Sequence, residues 1–344
     1  MKTNDFDYHL PKELIAQSPV EPRDHSRLMI VSRVDGSIEH RHFYDLPEYL
    51  RPGDLMVFND RRVIPARLHG RRQGTGGKVE ILLLHRLEPG LWRALVRPGR
   101  RLGVGTTVEI EGHGRRMTAE VTEIAEDGAR TVRLEGEEHL DQLGVVPLPP
   151  YIHEHVGDVD RYQTVYARVA GSVAAPTAGL HFTPTLLERL AAAGVEFAFV
   201  TLHVGWDSFR PVSSEDIESH KMHSEYWEFS PESADAINRA EREGRRVVSV
   251  GTTAVRLLEN AAALRAGGAD RPVEPGSGWA DLVIYPGSEF RVVDTLITNF
   301  HLPKSTLLML TSAFAGRDLM LNAYRVAAEE RYRFYSFGDA MLLR

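Results

Sequence analysis

The sequence predicts an α/β protein in which a small antiparallel β-barrel is inserted into a discontinuous α/β domain with a largely parallel sheet. After residue 150, strand-like segments alternate with helix-like segments, which is typical of a parallel sheet covered by helices. Between residues 63 and 146, short strands are separated by glycine turns, and no helical pattern interrupts them. Apolar strands within the first 60 residues fit best in the larger sheet, so the barrel interrupts that sheet in sequence.

The predicted boundaries assign residues 61–149 to the barrel, and residues 1–60 and 150–344 to the α/β domain. In the first part, SRLMIVSR and DLMVFND are the apolar strands. In the barrel, KVEILLLHR, LWRALVRPG, TTVEIEG, RMTAEVTEI and ARTVRLEG are rich in β-branched residues and partly alternate between apolar and polar positions. These five segments are therefore predicted to be strands.

Residues typical of helix ends predict two helices in the α/β part. Thr183 and Ser230 are N-cap residues, each followed by a proline at the first helical position, and Gly244 ends the second of these helices. Two further helices are predicted over residues 252–264 and 305–315. VEFAFVTLHV, RRVVSVG, ADLVIYPG and DTLITNF are predicted strands, and PVEPGSG is predicted to be a surface loop.

The composition is that of an ordinary soluble globular protein, with 42% hydrophobic and 26% charged residues in 344 positions. Because the chain has no cysteine, disulfides, thiolate metal sites and cysteine nucleophiles are excluded. No apolar run approaches the roughly 18 residues of a membrane span, and the N-terminus lacks an apolar export segment. We therefore expect a cytoplasmic protein without a membrane partner, and we expect a monomer.

Charge is distributed unevenly along the chain. Residues 51–120 contain 14 Lys or Arg and 7 Asp or Glu, a local net charge of +7, whereas the whole chain carries −7. A basic segment in an acidic protein is what a localised phosphate-binding face would produce. Arginines on the exposed sides of barrel strands would give the same count, and charge alone does not separate the two interpretations.

Three histidines lie beside small residues where a ligand could approach the backbone. They are His181 in AGLHFT, His203 in TLHVG and His301 in NFHLPKS. Ligands of parallel α/β sheets bind outside the carboxyl ends of the strands, and His203 and His301 fit that position. A core histidine bonded to backbone carbonyls would look the same in sequence.

Two weaker patterns are compatible with a metal site and with an anion site. His220 and His223, with Glu225 nearby, could chelate a metal if helical, but no third ligand is evident, and a hydrogen-bonding network is preferred. VGTT at residues 250–253 is a strand–glycine–helix junction that could bind an anion at a helix N-terminus. A plain strand-to-helix turn is the preferred interpretation, because a single glycine is a weak signal.

The segment at residues 161–183, RYQTVYARVAGSVAAPTAGLHFT, is rich in Gly, Ala and Ser and is too long for an ordinary connection. Small residues allow a ligand close to the backbone, while aromatic and polar groups orient it. A base could stack on or bond to a group of its side chains, which are Arg161, Tyr162, Gln163, Tyr166 and Arg168. Tyrosine pairs are also common packing elements.

This segment, together with TNFHLPKSTLLMLTSAFAG, closely resembles the S-adenosylmethionine:tRNA ribosyltransferase-isomerases of queuosine synthesis. FNDRRVIPARLHG, HKMHSE, VGTTAVRLLE and RYRFYSFGDAMLL extend the resemblance over essentially the whole chain. The resemblance implies an α/β domain carrying a β-barrel. It also implies that S-adenosylmethionine is consumed as a ribosyl donor, with no other cofactor. The acceptor would be tRNA bearing 7-aminomethyl-7-deazaguanine at the wobble position, and the products epoxyqueuosine-tRNA, adenine and methionine.

The chain departs from the family pattern at three places. Trp206-Asp207-Ser208 stands where the family usually has a small residue followed by Gly-Thr, Arg61 replaces a usual Thr, and Ser288-Glu289 stands where an aromatic residue often follows Pro-Gly. None of these changes removes an evident acid or base.

The implied chemistry needs a general base, a proton donor to the leaving adenine and shelter from water. A neutral histidine suits the base because its ordinary pKa lies near working pH. His203 is the first candidate and His181 the second, with His301, Asp294 and Asp339 as less favoured alternatives.

The remaining predicted site residues divide into two groups, and no metal site is expected. The predicted substrate-binding residues are Arg161, Tyr162, Gln163, Tyr166, Ser172, Thr177, Thr252, Thr253 and Asn299. The predicted tRNA-binding residues are Arg61, Arg67, Arg71, Arg72, Arg97 and Arg100.

Two other classes of function were weighed. A methyltransferase using the same donor would be expected to carry a glycine-rich loop after its first strand, which this chain lacks. A non-catalytic RNA-binding module would explain the basic barrel but not the separate histidine-containing loops.

Overall fold

The computed structural model describes residues 1–154, 159–202, 215–219, 225–263, 273–280 and 282–344. Its strands are β1 (Arg27–Val31), β2 (Ile38–His42), β3 (Leu55–Asn59), β4 (Arg61–Val63), β5 (Arg67–Arg72), β6 (Lys78–Glu88), β7 (Leu91–Arg97), β8 (Thr107–Gly112), β9 (Arg115–Ile124), β10 (Arg130–Glu135), β11 (Gly144–Val145), β12 (Val169–Ser172), β13 (Glu196–Leu202), β14 (Glu225–Phe229), β15 (Val247–Val250), β16 (Gly276–Ala280), β17 (Thr295–Asn299) and β18 (Ala340–Leu343). Its α-helices are α1 (Leu140–Leu143), α2 (Pro184–Ala192), α3 (Pro231–Arg242), α4 (Thr252–Ala263), α5 (Thr306–Ala315) and α6 (Arg317–Glu329).

The larger sheet of the described chain has nine strands in the order β16-β14-β13-β3-β15-β17-β18-β1-β2. Its centre is parallel, because β13, β3, β15 and β17 pair in that sense. β18 is antiparallel to β17 and parallel to β1. Strands β1 to β3 precede the barrel in sequence and the others follow it, so the predicted insertion of a barrel into a mostly parallel α/β sheet is confirmed.

The barrel is closed by six antiparallel strands in the order β5-β6-β7-β10-β9-β8, because β8 pairs back onto β5. Alternate side chains of these strands fill its interior, among them Leu68, Ile81 and Met117. Gly70 sits at the closing seam, where an added Cβ would lie 2.6 Å from the Glu109 carbonyl oxygen. A side chain at this position would therefore hold β5 and β8 apart.

Helices cover both faces of the larger sheet. Helices α3 to α6 contribute to the core on one face, and α2 packs on the other face with a 3₁₀ segment at Phe43–Tyr49. The predicted caps are confirmed, since the Thr183 hydroxyl accepts the Leu186 N–H at 3.1 Å and the Ser230 hydroxyl accepts the Ser233 N–H at 3.2 Å. No helix of the described chain is long and apolar enough to cross a bilayer.

Several element predictions differ from the structure. The predicted surface loop PVEPGSG is partly wrong, because its last residues begin the edge strand β16, which pairs with β14. The predicted strand ADLVIYPG is also wrong, because its described residues after Ala280 are irregular. The elements that the sequence did not predict are β2, β4, β5, β11, β12, β14, β18, α1 and α6. The boundaries 60/61 and 149/150 remain a prediction.

Candidate functional site

A cavity that is partly open to solvent lies at the carboxyl ends of β15 and β17. This is the edge of a parallel sheet where α/β proteins bind ligands. Its polar wall comes from the residues that follow these two strands and from a third stretch of small residues. The lining residues include Tyr151, Thr177, Ala178, Gly251, Thr252, Thr253, Arg256, Thr298, Asn299, His301, Ser305, Tyr335 and Ser336.

Gly251 allows the chain to turn from β15 directly into helix α4. Its φ of +90° lies in the left-handed region, which L side chains adopt only with strain. The Gly251 N–H still donates to the Ile297 carbonyl at 2.8 Å, so the turn stays attached to β17. As a result, Thr252 and Thr253 lie at the cavity wall in the first turn of α4.

A chain of hydrogen bonds runs from the cavity wall into the core. The Thr177 hydroxyl donates to Asn299 Oδ1 at 3.0 Å, and Asn299 Nδ2 donates to His181 Nε2 at 3.1 Å. Because Nε2 accepts, the proton of a neutral His181 ring is on Nδ1, which lies 2.8 Å from Ser26 Oγ. Burial, together with the positive charges of Arg333 and Arg23, lowers the pKa of His181 to about 3. His181 is therefore neutral near pH 7 and holds Asn299 in place.

His301 lies at the cavity wall itself. Its ring Nε2 is 2.8 Å from Thr298 Oγ1. Its backbone N–H donates to the Tyr324 hydroxyl at 2.9 Å, and its backbone carbonyl accepts the Tyr8 hydroxyl at 2.5 Å. Burial lowers the pKa of His301 to about 3, so this ring is also neutral near pH 7. Three bonds to separate elements fix its position.

Arg256 on helix α4 is a charged residue of the site that the sequence did not predict. Its Nη1 donates to Glu225 Oε2 at 2.5 Å, its Nε donates to the Leu282 carbonyl at 3.3 Å, and both side chains of the ion pair are 5% exposed. The signal was present in VGTTAVRLLE, where one arginine stands among apolar helix residues. A buried charge of this kind requires a partner.

Residues 3–343 of the chain match the model of the family described as queuosine biosynthesis protein. The chain belongs to this family. It is 57% identical over the whole of both chains to a protein of Symbiobacterium thermophilum named S-adenosylmethionine:tRNA ribosyltransferase-isomerase. A protein of that name from Moorella thermoacetica is 56% identical over the same extent.

A solved structure agrees with this assignment. The crystal structure of S-adenosylmethionine tRNA ribosyltransferase from Thermotoga maritima is 41% identical in sequence. The match covers 99% of this chain and 100% of that one, with a TM-score of 0.56. The family resemblance predicted from the sequence is therefore confirmed.

In this member of the queuosine biosynthesis family, five of the predicted site residues share the cavity wall. They are Thr177, Thr252, Thr253, Asn299 and His301. His181 lies one hydrogen bond behind that wall. His203, His220, His223 and the Trp206-Asp207-Ser208 departure lie outside the described residues.

The two predicted aspartate bases are engaged away from the cavity. Asp294 precedes β17, and its carboxylate accepts the Val247 N–H at 2.8 Å at the opposite edge of the sheet. Asp339 accepts the N–H groups of Arg27 and Arg333, each at 2.8 Å. Both positions argue against direct contact with a ligand in the cavity.

The tyrosines of the 161–183 segment are buried in hydrophobic clusters and do not line the cavity. Tyr162 is packed edge-on against Phe337 with ring centroids 5.9 Å apart, and Tyr166 is 4.7 Å from Phe58. Their stacking on a purine stays a prediction, and their burial favours a packing role.

Three polar residues of the same stretch bond to neighbouring protein atoms. The Gln163 side chain bonds both the N–H and the carbonyl of Val63, at 3.0 and 2.7 Å. Arg161 pairs with Glu21, and the Ser172 hydroxyl donates to the Ala174 carbonyl at 2.7 Å. Contact of these three residues with substrate stays a prediction. The bonds described here show that their side chains attach the segment to neighbouring parts of the protein.

The close contact between Gly179 and Tyr166 allows the packing role of Tyr166 to be tested. A Cβ added at Gly179 would lie 1.9 Å from the Tyr166 hydroxyl oxygen and 2.8 Å from its Cζ. We expect Gly179→Ala to lower the free energy of unfolding by about 1–3 kcal/mol, as overpacking does. Tyr166→Phe should restore part of this loss. Denaturant unfolding measures both, with Gly77→Ala in an open barrel turn as control. A loss that Tyr166→Phe leaves unchanged would contradict the packing.

The predicted tRNA-binding arginines differ in exposure. Arg71, Arg97 and Arg100 are exposed on the barrel, while Arg67 and Arg72 are half-buried. Arg61 is 1% exposed, and its Nη1 donates to the carbonyls of Val169 and Ala170 at 3.3 and 2.8 Å. Arg61 therefore joins β4 to β12, and its burial argues against the predicted contact with RNA phosphate.

Proposed function

We propose that this chain transfers and isomerises the ribosyl group of S-adenosylmethionine onto 7-aminomethyl-7-deazaguanine at the wobble position of tRNA. The full-length identity of 57% to a relative with that activity in its name carries the proposal. Epoxyqueuosine-tRNA, adenine and methionine would be the products. S-adenosylmethionine would be consumed as a substrate.

The cavity at the ends of β15 and β17 is the proposed donor site. Its wall combines apolar surface with a few polar groups, as the walls of small-molecule pockets do. Thr177, Asn299 and His301 supply hydrogen-bonding atoms that their neighbours hold in place. These features fit a nucleoside with a polar tail.

The proposed reaction begins with removal of a proton from the ribose C5′, which the adjacent sulfonium makes acidic. The electron pair left behind breaks the C4′–O4′ bond and gives a vinyl sulfonium, and the freed C1′ hemiaminal becomes an aldehyde as adenine leaves with a proton. The amine of the modified base then adds to C4′, and the C5′ ylide that results attacks the C1′ aldehyde. The alkoxide formed there displaces methionine from C5′ and closes the epoxide. The chain must therefore supply a base, a proton for adenine and a site closed to water.

His203 is the proposed base. A base works best when its pKa lies near the working pH, and burial lowers the pKa of both His181 and His301 to about 3. These two histidines are poor proton acceptors, and we assign them to positioning Asn299 and the cavity wall. His203 directly follows β13, whose neighbour β3 pairs with β15 at the cavity edge.

The exposed and half-buried arginines of the barrel are proposed to contact the tRNA backbone. We expect the double variant Arg71→Ala, Arg72→Ala to weaken tRNA binding and to reduce the slope of log affinity against log salt by about one to two. Affinity for S-adenosylmethionine should stay unchanged. Filter binding at several salt concentrations measures the slope.

The control for this pair is Arg325→Ala on helix α6, where the arginine is exposed and paired with Glu329. If the slope of log tRNA affinity against log salt is the same for the wild type and the double barrel variant, the proposal is wrong. The RNA would then bind to the α/β part of the chain.

One assay tests the proposed function against its alternatives. The protein is incubated with S-adenosylmethionine and tRNA carrying the 7-aminomethyl-7-deazaguanine base, and the nucleoside products are separated. Adenine release that depends on the tRNA supports the proposal. Formation of S-adenosylhomocysteine would indicate a methyltransferase, and binding without turnover would indicate an RNA-binding module.

A further inference from the structure

One corner of the cavity combines a buried arginine with the N-terminus of a helix. Helix α4 has 12 residues, and the backbone N–H groups of its first turn have no partner within the helix. Thr252, Thr253 and Arg256 of this helix all line the cavity. The partial positive charge of a helix N-terminus favours an anion at this position.

Arg256 provides a second and independent observation. The residue is 4% exposed, and its Nη1 and Nε are used by Glu225 and the Leu282 carbonyl. Its Nη2 is buried and makes no hydrogen bond within the described part of the chain. A buried guanidinium nitrogen with two unused N–H donors is costly unless a ligand accepts from it.

The hydroxyl of Thr253 is in the same situation. Thr253 Oγ1 is buried and has no hydrogen-bond partner within the described residues. An added Cβ on Gly251 would lie 3.6 Å from this oxygen, so the hydroxyl lies beside the turn that leads from β15 into α4. Two unused donors and a helix N-terminus therefore meet at one wall.

The unused hydrogen-bond donors indicate the ligand class, since Glu225 already balances the charge of Arg256. Among the lining residues that the structure describes, none is Asp or Glu, and Arg256 is the one permanently charged side chain. Glu225 engages Nη1 and leaves Nη2 for a second acceptor. An oxyanion with two acceptor oxygens matches this set of donors.

We propose that this corner binds the α-carboxylate of the methionine portion of S-adenosylmethionine, through Arg256 Nη2, the Thr253 hydroxyl and the first turn of α4. This inference rests on the proposed function, because it takes S-adenosylmethionine as the donor. It makes Thr253 and Arg256 residues that distinguish the donor from analogues lacking the carboxylate. A tRNA phosphate is the other source of an oxyanion, and the experiment separates the two.

The experiment measures dissociation constants for S-adenosylmethionine and for decarboxylated S-adenosylmethionine, which lacks only the carboxylate. The variants are Thr253→Val, which keeps the side-chain shape, and Arg256→Lys, which keeps a cation beside Glu225. Thr295→Val, a buried threonine at the start of β17, is the matched control. Thermal unfolding of each variant establishes that it is folded.

We expect Thr253→Val and Arg256→Lys each to weaken binding of S-adenosylmethionine about tenfold or more. Binding of the decarboxylated analogue should change by less than about twofold, and the Thr295→Val control should leave both constants unchanged. Equal weakening of both nucleosides would overturn the proposal, because the residues would then act on packing alone.

A third arm measures the affinity of each variant for an anticodon stem-loop. Unchanged RNA affinity is expected, and a selective loss of RNA affinity would assign the corner to a phosphate and overturn the proposal. Variants that still release adenine, but whose affinities for S-adenosylmethionine and its decarboxylated analogue fall equally, would reject the carboxylate site and leave the proposed function standing. Carboxylate discrimination without adenine release would reject the proposed function and leave the anion site standing.

Discussion

Replacement of His203 by alanine is expected to lower the turnover number for adenine release by about 10²–10⁴-fold, which is the usual effect of removing a general base. The dissociation constant of S-adenosylmethionine should change little, since the base acts on a proton during the reaction. In the sequence, His203 directly follows β13, which pairs with β3 in the larger sheet. The two buried histidines of the site have pKa values near 3, too low for an effective base.

Single-turnover measurement of adenine release, with a separate binding titration, distinguishes these quantities. His42→Ala is the control, because His42 is an exposed histidine on β2 at the far edge of the same sheet. Turnover of the His203 variant within a few-fold of the wild type would eliminate His203 as the base.

Glu225→Ala is expected to lower the free energy of unfolding by about 3–5 kcal/mol, because it leaves Arg256 charged and buried without its partner. The two side chains are each 5% exposed and join β14 to helix α4. Equilibrium unfolding in denaturant measures the loss. Glu329→Ala is the control, since the Arg325–Glu329 pair is about 60% exposed on both sides and should contribute at most about 1 kcal/mol.

A double variant separates stability from ligand binding at the same pair. Replacing Glu225 by Leu and Arg256 by Met removes both charges, and apolar replacements of a buried pair are often neutral for stability. The double variant should therefore recover much of the stability lost in Glu225→Ala. It should still bind S-adenosylmethionine weakly, because Arg256 is absent. Similar stability losses in Glu225→Ala and in the Glu329→Ala control would contradict the buried ion pair.

The sequence by itself determined the features that depend on local signals. Ser and Thr caps followed by proline fixed the starts of α2 and α3, because capping involves only residues within one turn. Alternating apolar residues located five barrel strands, since the two faces of a strand differ at every second residue. The long matching strings identified the family, and the Gly-Thr junction at residues 250–253 pointed to part of the cavity wall.

Only the tertiary structure decided which segments become edge strands and which side chains are buried. GSGWA resembles a loop in sequence, yet it forms β16 because the edge of β14 offers it hydrogen bonds. Tyr162, Tyr166 and Arg61 resemble ligand contacts, yet neighbouring elements enclose them.

Arg256 gave the weakest local signal and has the most specific surroundings. Its partner Glu225 is 31 residues away in sequence, and the corner that it lines exists only where α4, β14 and the ends of β15 and β17 meet. Burial and pairing of a charge depend on contacts between distant segments, and no pattern within one segment encodes them.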